Sequence, residues 1–215
     1  KRKHAEGYRA FKLKIGFNDN QDIGNIDSLR SWLGPEASLM ADVNQAWHLP
    51  HAMTMLPLLE QFKLTWLEEP LRTDSSASQW LQLQETTSTP LAAGENIMGQ
   101  DSFEKAIALK AFGVLQPDFA KWGGISGCWP VIQKIRESGT RFCPHYLGAG
   151  IGLMASAHVL AAAGGDGLPV PEGPHLRPAG RGARAGAAGV FRFPHRKIPP
   201  PGRSSCRSGG RGGRR

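Results

Sequence analysis

Cysteine is scarce: the 215-residue chain has three, Cys128, Cys143 and Cys206. Their odd number and lack of close pairing exclude a zinc or disulfide framework and point to a reducing compartment, the cytoplasm. Long apolar runs are missing too. The longest, near residues 151–163, is too short to span a bilayer, and no apolar segment follows the basic start Lys1-Arg2-Lys3-His4. Neither membrane anchoring nor secretion is indicated. Acidic residues are nearly absent from one stretch only. From Leu168 onward ten Arg and Lys197 face Glu172 alone, a net +10 in a chain whose total is +8, which leaves −2 for residues 1–167. The body is mildly acidic, and the charge that could suggest nucleic acid belongs to the tail.

The tail, residues 168–215, also lacks apolar periodicity. Runs such as Pro199-Pro200-Pro201 and Gly209-Gly210-Arg211-Gly212-Gly213 cannot offset the entropy of ordering, so a disordered segment is expected. An RNA-binding Arg/Gly segment would carry more interleaved aromatics than Phe191 and Phe193. No nucleic-acid partner is expected; the abrupt change after Leu168 reads instead as translation in a shifted frame of a GC-rich gene.

Across residues 1–167, short β-rich runs alternate with amphipathic stretches, the pattern of βα units on a parallel sheet. The expected strands are residues 11–15, 38–43, 64–67, 91–93, 114–116 and 141–144. The expected helices are 22–32, 50–61, 76–85, 102–110, 127–138 and 151–163. Asp101 is expected to cap the fourth helix, and Gly113 and Gly139 to end helices. Polar residues fall at strand ends: Lys14, Asp42, Glu68, Glu95, Asp118 and His145 are separated by 28, 26, 27, 23 and 27 residues. In a (β/α)8 barrel those ends converge on the face that carries the chemistry. The α/β fold expected is such a TIM-type barrel, incomplete at about six βα units against the usual length of about 250 residues. An upstream strand is expected to be missing.

Asp42, Glu68 and Glu95 offer three hard oxygen donors with an open side, which suits Mg2+. Alone, each reads as a solvated loop acid or a helix cap; their common phase in the repeat favours the metal. Lys12 and Lys14 share one side of their strand. On an ordinary sheet that is a wet face, whereas in a barrel lumen neighbouring positive charges favour loss of a proton near neutral pH. Asp118 and His145 end adjacent strands, so the carboxylate can fix the imidazole's tautomer.

The segments Phe11-Lys12-Leu13-Lys14-Ile15-Gly16, Asp42-Val43-Asn44-Gln45-Ala46-Trp47, Trp66-Leu67-Glu68-Glu69-Pro70, Gly94-Glu95-Asn96 and Gln116-Pro117-Asp118-Phe119-Ala120-Lys121-Trp122-Gly123-Gly124 resemble successive motifs of the enolase superfamily. The resemblance is to its mandelate racemase branch and covers roughly residues 5–168. It implies Mg2+ on Asp42, Glu68 and Glu95, with Glu69 supporting those ligands from behind. It makes Lys14 an α-proton base, gives Lys12 and Asn44 the substrate's carboxylate oxygens, and pairs His145 with Asp118. Lys121 matches a lysine that contributes to structure or substrate binding. Asp118, where the muconate lactonizing branch carries lysine, favours the racemase-like branch.

The implied reaction is α-proton abstraction from a small hydroxy acid, first as dehydration of an aldonate or aldarate, second as racemisation or epimerisation of a 2-hydroxy acid. Relatives of this kind are often homo-oligomers. The chain departs from the family in two places. No N-terminal α+β capping domain precedes Lys1, and Pro169-Val170-Pro171 stands where the family continues with a Leu-Glu strand. A catalytically defective fragment is therefore the competing expectation.

Overall fold

The computed structural model describes residues 2–146 and 150–164. A short helix α1 (Arg2–Ala5) leads into β1 (Ala10–Lys14). Five further strand–helix steps follow: α2 (Asp19–Leu33), β2 (Ser38–Asp42), α3 (Leu49–Glu60), β3 (Leu67–Glu68), α4 (Ala77–Glu85), β4 (Leu91–Ala93), α5 (Gln100–Leu109), β5 (Val114–Leu115), α6 (Gly124–Glu137), β6 (Arg141–Phe142) and α7 (Gly150–Ala162). The six strands form one parallel sheet in chain order, β1-β2-β3-β4-β5-β6. Lys14 pairs with Asp42, Asp42 with Glu68, and Glu68 with Ala92. Consecutive parallel order sends every strand's C-terminal end to the same face, which is what concentrates the polar residues there.

Two apolar layers hold the sheet. Between the sheet's outer face and the helices lies the larger core, with Leu39, Ala41, Leu67, Leu91 and Leu115 against Ile26, Met55, Leu59, Leu83, Phe103 and Ile132. The opposite face carries a small separate cluster of Met40, Trp66, Ala92 and Val114, with Ala10 of β1 and Cys143 beyond β6 packed against it. First and last strands thus meet one cluster, so the sheet is curled around a lumen. The half-buried Cys143 thiol lies near both Glu68 and Lys12, and its surroundings push it up to about 11.

Local chemistry sets the turns that enter the polar face. Asn18 caps α2 by accepting from the Gln21 N–H at 3.1 Å. The buried Asp22 reaches back to accept the N–H groups of Gly16, Phe17 and Asn18 at 2.8, 3.0 and 3.2 Å, which fixes the loop after Lys14. Ser76 and Gln79 form a reciprocal capping box on α4. Gly139 ends α6 with φ +79°, as its position in the sequence suggests.

The α/β class, all six strands and all six long helices are those expected, but several boundaries move. The third strand is residues 67–68 rather than 64–67, and β1, β2, β5 and β6 each end one or two residues early. Of the residues beyond those ends, Ile15 and Val43 pack in the helix-side core, whereas Gln116 reaches Glu68. Gly99, not Asp101, caps α5 and Asp101 lies within its first turn; Lys110, at φ +58°, closes that helix. Gly113 instead starts β5, where a Cβ would press on Pro90 at 2.8 Å. The tail expected to be disordered lies outside the described residues.

Gly94 bears the tightest constraint. It adopts φ +143°, and a Cβ there would run into the backbone of Gln116. Gly94→Ala is expected to cost about 3 kcal/mol or more, because strained backbone and strand displacement act together. A thermal melt checks this: a Tm within about 2 °C of wild type, well below the shift such a loss implies, contradicts the β4–β5 packing described.

Candidate active site at the strand ends

Four basic side chains are paired with acids on the polar face. Lys12 Nζ lies between two carboxylates, donating to Glu68 Oε1 and reaching Asp42 Oδ2 at 3.0 Å. Lys14 Nζ donates to the same Asp42 oxygen at 2.6 Å. On the other side, His145 is clasped by two acids, with Nδ1 2.7 Å from Asp118 Oδ2 and Nε2 2.8 Å from Glu95 Oε2. Lys121 Nζ donates to Glu95 Oε1 at 3.1 Å and to Asn96 Oδ1 at 3.3 Å. Asp42 and Glu68 are each 1% exposed, whereas the Lys14 side chain is 54% exposed, so the pairs are buried on the acid side only.

The fourth acid joins the halves. Strand alternation alone would send Glu69 away from Glu68. Instead Glu69 takes a left-handed turn, φ +42°, and the Asn96 amide donates to both of its oxygens, at 2.9 and 3.1 Å. Burial pushes the Glu69 carboxyl up to about 7, with the charges of Glu95, Asp42 and Glu68 adding to the shift. Glu69 therefore senses the other three carboxylates across three loops. Asn44, also left-handed at φ +50°, is exposed at the rim, its N–H donated to Asp42 Oδ1 at 2.9 Å.

Charge compensation sets each group's proton affinity. Burial would raise Asp42, yet Lys12 and Lys14 hold it below the usual carboxylate range. Burial and the neighbouring charge of Asp42 raise Glu68 in spite of Lys12. The His145 hydrogen bond, against burial and with help from Lys121, pushes Glu95 down to about 2. Burial opposes a charged imidazole, but Glu95 and Asp118 overcome it and His145 is raised. Although burial lowers Lys12, Glu68 and Asp42 raise it above its ordinary value. Two carboxylates outweigh one neighbouring ammonium.

Among the described residues, no three His, Cys, Asp or Glu side chains stand grouped as ligands around one point. The donor chemistry nevertheless fits a hard cation, since Asp42, Glu68 and Glu95 are anionic oxygen donors on consecutive strand ends, two of them sharing Lys12. The Lys12 ammonium bridging Asp42 and Glu68 marks where positive charge is demanded. Asp42, Glu68 and Glu95 are the residues that would hold it.

A family model described as "Enolase C-terminal domain-like" matches residues 1–193, past the compositional break at Leu168. The chain belongs to the enolase superfamily. Within its mandelate racemase and muconate lactonizing enzyme group, a solved structure from Bordetella bronchiseptica is 55% identical, with TM-score 0.75 over 78% of this chain and 46% of that one. A Polaromonas L-talarate dehydratase solved with Mg and L-glucarate is 30% identical, with TM-score 0.64 over 68% of this chain and 41% of that one. D-galactarolactone cycloisomerase of Agrobacterium fabrum is 30% identical over 160 residues, 74% of this chain and 42% of that protein. The chain thus spans less than half the length of these relatives. Enolase-superfamily barrels account for the curled sheet, and no described helix is long and apolar enough to cross a membrane.

The residues singled out in the sequence all lie on this face. Missed were Asn96, Trp66 and Gln116, which hold the acids with neutral N–H donors. Gln116 and Asn96 sit in quoted motifs but lack charge, and the cross-strand reach that gives them a role is absent from linear spacing.

The clasp on His145 makes a direct prediction. Asp118→Asn removes one of two anions, so the His145 titration, followed by the imidazole C–H signals in NMR of the metal-free protein, is expected to move to lower pH. The sign follows from the raised state of His145: its charged form is favoured by Asp118, and that stabilisation disappears with the carboxylate. An unmoved or higher midpoint contradicts the pairing.

Proposed function

We propose that the whole protein catalyses Mg2+-dependent removal of the α-proton of a hydroxy acid, followed by dehydration of an aldonate or aldarate sugar acid. The observation that supports this reading is His145, with its ring nitrogens 2.7 Å from Asp118 and 2.8 Å from Glu95, on the same strand-end face as Lys14. Solved and curated relatives named for acid-sugar dehydration and cycloisomerisation support the substrate class, and the Mg-bound relative supports the cation.

Bound to Asp42, Glu68 and Glu95, Mg2+ would supply a Lewis acid for the substrate carboxylate. The protein's own steps follow from its cations. Lys12 and Asn44 bind the carboxylate oxygens, where negative charge grows as the α-proton leaves. Lys14, in its free-amine form, takes that proton. The electron pair left at the α-carbon forms the double bond to the β-carbon as the β C–O bond breaks, and His145 donates its proton to the departing hydroxyl, releasing water. The resulting enol tautomerises to a 2-keto acid. Asp118 keeps the His145 ring oriented through Nδ1, and Lys121 orients Glu95. Protonation of the same intermediate by His145 at the α-carbon would give racemisation or epimerisation, the second outcome open to a lysine and a histidine on opposite faces.

Incubating the full-length protein with Mg2+ and sugar acids in D2O is expected to yield deuterium at C3 of the 2-keto product. EDTA abolishes turnover and added Mg2+ restores it. Lys14→Met is expected to lower kcat by at least about a hundredfold, the scale of general-base catalysis, with an unchanged melting temperature. Absence of both turnover and α-deuterium exchange across aldonates and aldarates contradicts the proposal; exchange at the α-carbon without water loss favours the racemase outcome.

A further inference from the structure

Glu68 is held differently from the other acids, because its two oxygens have separate kinds of partner. Oε1 accepts from the Lys12 ammonium. Oε2 accepts two neutral donors, the Trp66 indole Nε1 at 3.1 Å and the Gln116 amide Nε2 at 2.9 Å. Both donors are buried. Trp66 precedes Glu68 by two residues and so shares its face of the strand. Gln116 reaches it from the end of β5, across β4.

That reach exists because β4 leaves room. Between Gln116 and Glu68, β4 presents Ala92, which packs in the lumen with Met40, Trp66 and Val114, and then Gly94, whose missing side chain lets the Gln116 backbone close in. Larger residues at either place would separate the amide from the carboxylate. The small residues of β4 and the long amide of β5 thus form one device.

Its physical effect is to remove a degree of freedom. A carboxylate's terminal torsion is broad and roughly two-fold. Two donors fixed by packing, both on one oxygen, select one orientation and turn the other oxygen toward the cations. Being neutral, they add no positive charge, so the carboxylate still calls for a cation, which here is Lys12. We infer that Trp66 and Gln116 are positioning residues that reserve Glu68 Oε1 for a cation and direct Glu68 to bind it through that single oxygen, an inference that rests on the metal reading above. Lys12 is then a competitor for the same oxygen, and a divalent cation displaces it from Glu68.

Titration of the metal-free full-length protein with MgCl2 in a calorimeter tests this without any substrate. Gln116→Met removes the donor while keeping bulk, and Trp66→Phe removes the other. Each is expected to weaken Mg2+ binding ten- to a hundredfold, the range for groups that orient metal ligands. Lys12→Met is expected to tighten it, the opposite sign, because the competing ammonium is gone. Ala92→Val blocks the path of Gln116 and provides a second route to the same loss, should Gln116→Met fold poorly. Melting of the metal-free variants separates the roles: a purely structural part lowers Tm and leaves the Kd of the folded protein as in wild type, which overturns the inference. Gln116→Met and Trp66→Phe proteins that bind as wild type does overturn it while the metal reading stands. Wild-type protein that binds no Mg2+ removes the metal reading and this inference together, before any substitution is made.

Discussion

Buried negative charge at the ends of parallel strands is the constraint around which this molecule is arranged. Asp42, Glu68, Glu69 and Glu95 are all buried, and a carboxylate removed from water is costly unless cations or hydrogen-bond donors compensate it. Lys12 and Lys14 of β1, Lys121 and His145 provide the cations. The strands bring them together because they run in order around a lumen, so that residues 28 to 131 positions apart, counting from Lys14 to Asp42 and from Lys14 to His145, share one face. Apolar packing on both sides of the sheet holds this charged layer in place, with the small lumen cluster lying directly beneath it.

The charge pattern also explains why the face suits chemistry better than stability. An ion pair buried for its own sake is weak support for a fold, since apolar replacement is often as stable. Here the acids outnumber what the fold needs, and Glu69 is left with an amide, Asn96, instead of a cation. The electrostatic environment then divides. On the β1–β3 side, two ammonium groups meet two carboxylates; on the β4–β6 side, an imidazole raised by its partners meets one strongly acidic glutamate. Groups with opposed proton demands facing one another across a cleft are what proton transfer in two directions requires.

Much of this was readable in the chain because it is periodic. The recurrence of Lys14, Asp42, Glu68, Glu95, Asp118 and His145 at intervals of 23 to 28 residues reports the βα repeat, and the six parallel strands follow one another in that order. Boundaries were less legible: Trp66 and Gln116 belong to β-like runs, yet they lie just outside the paired strands, because their side chains turn into the lumen to hold Glu68. The surroundings of Lys12 were only partly legible. Lys-x-Lys shows the neighbouring ammonium in the sequence, but the two carboxylates that dominate it arrive from β2 and β3. Asn96 and Gln116 carry no charge and no periodic signal; only folding gives them partners.

The central claim is that the ring of strand ends is built to hold a divalent cation where Lys12 now bridges two acids. Anomalous diffraction from crystals of the full-length protein soaked in Mn2+ tests it most directly. The account predicts one metal peak bound by oxygens of Asp42, Glu68 and Glu95 at roughly 2.0–2.2 Å, the range for small hard divalent ions, with Lys12 displaced from Glu68 and His145 from Glu95. A Lys12 ammonium still seated between Asp42 and Glu68, with the metal bound elsewhere or not at all, contradicts it.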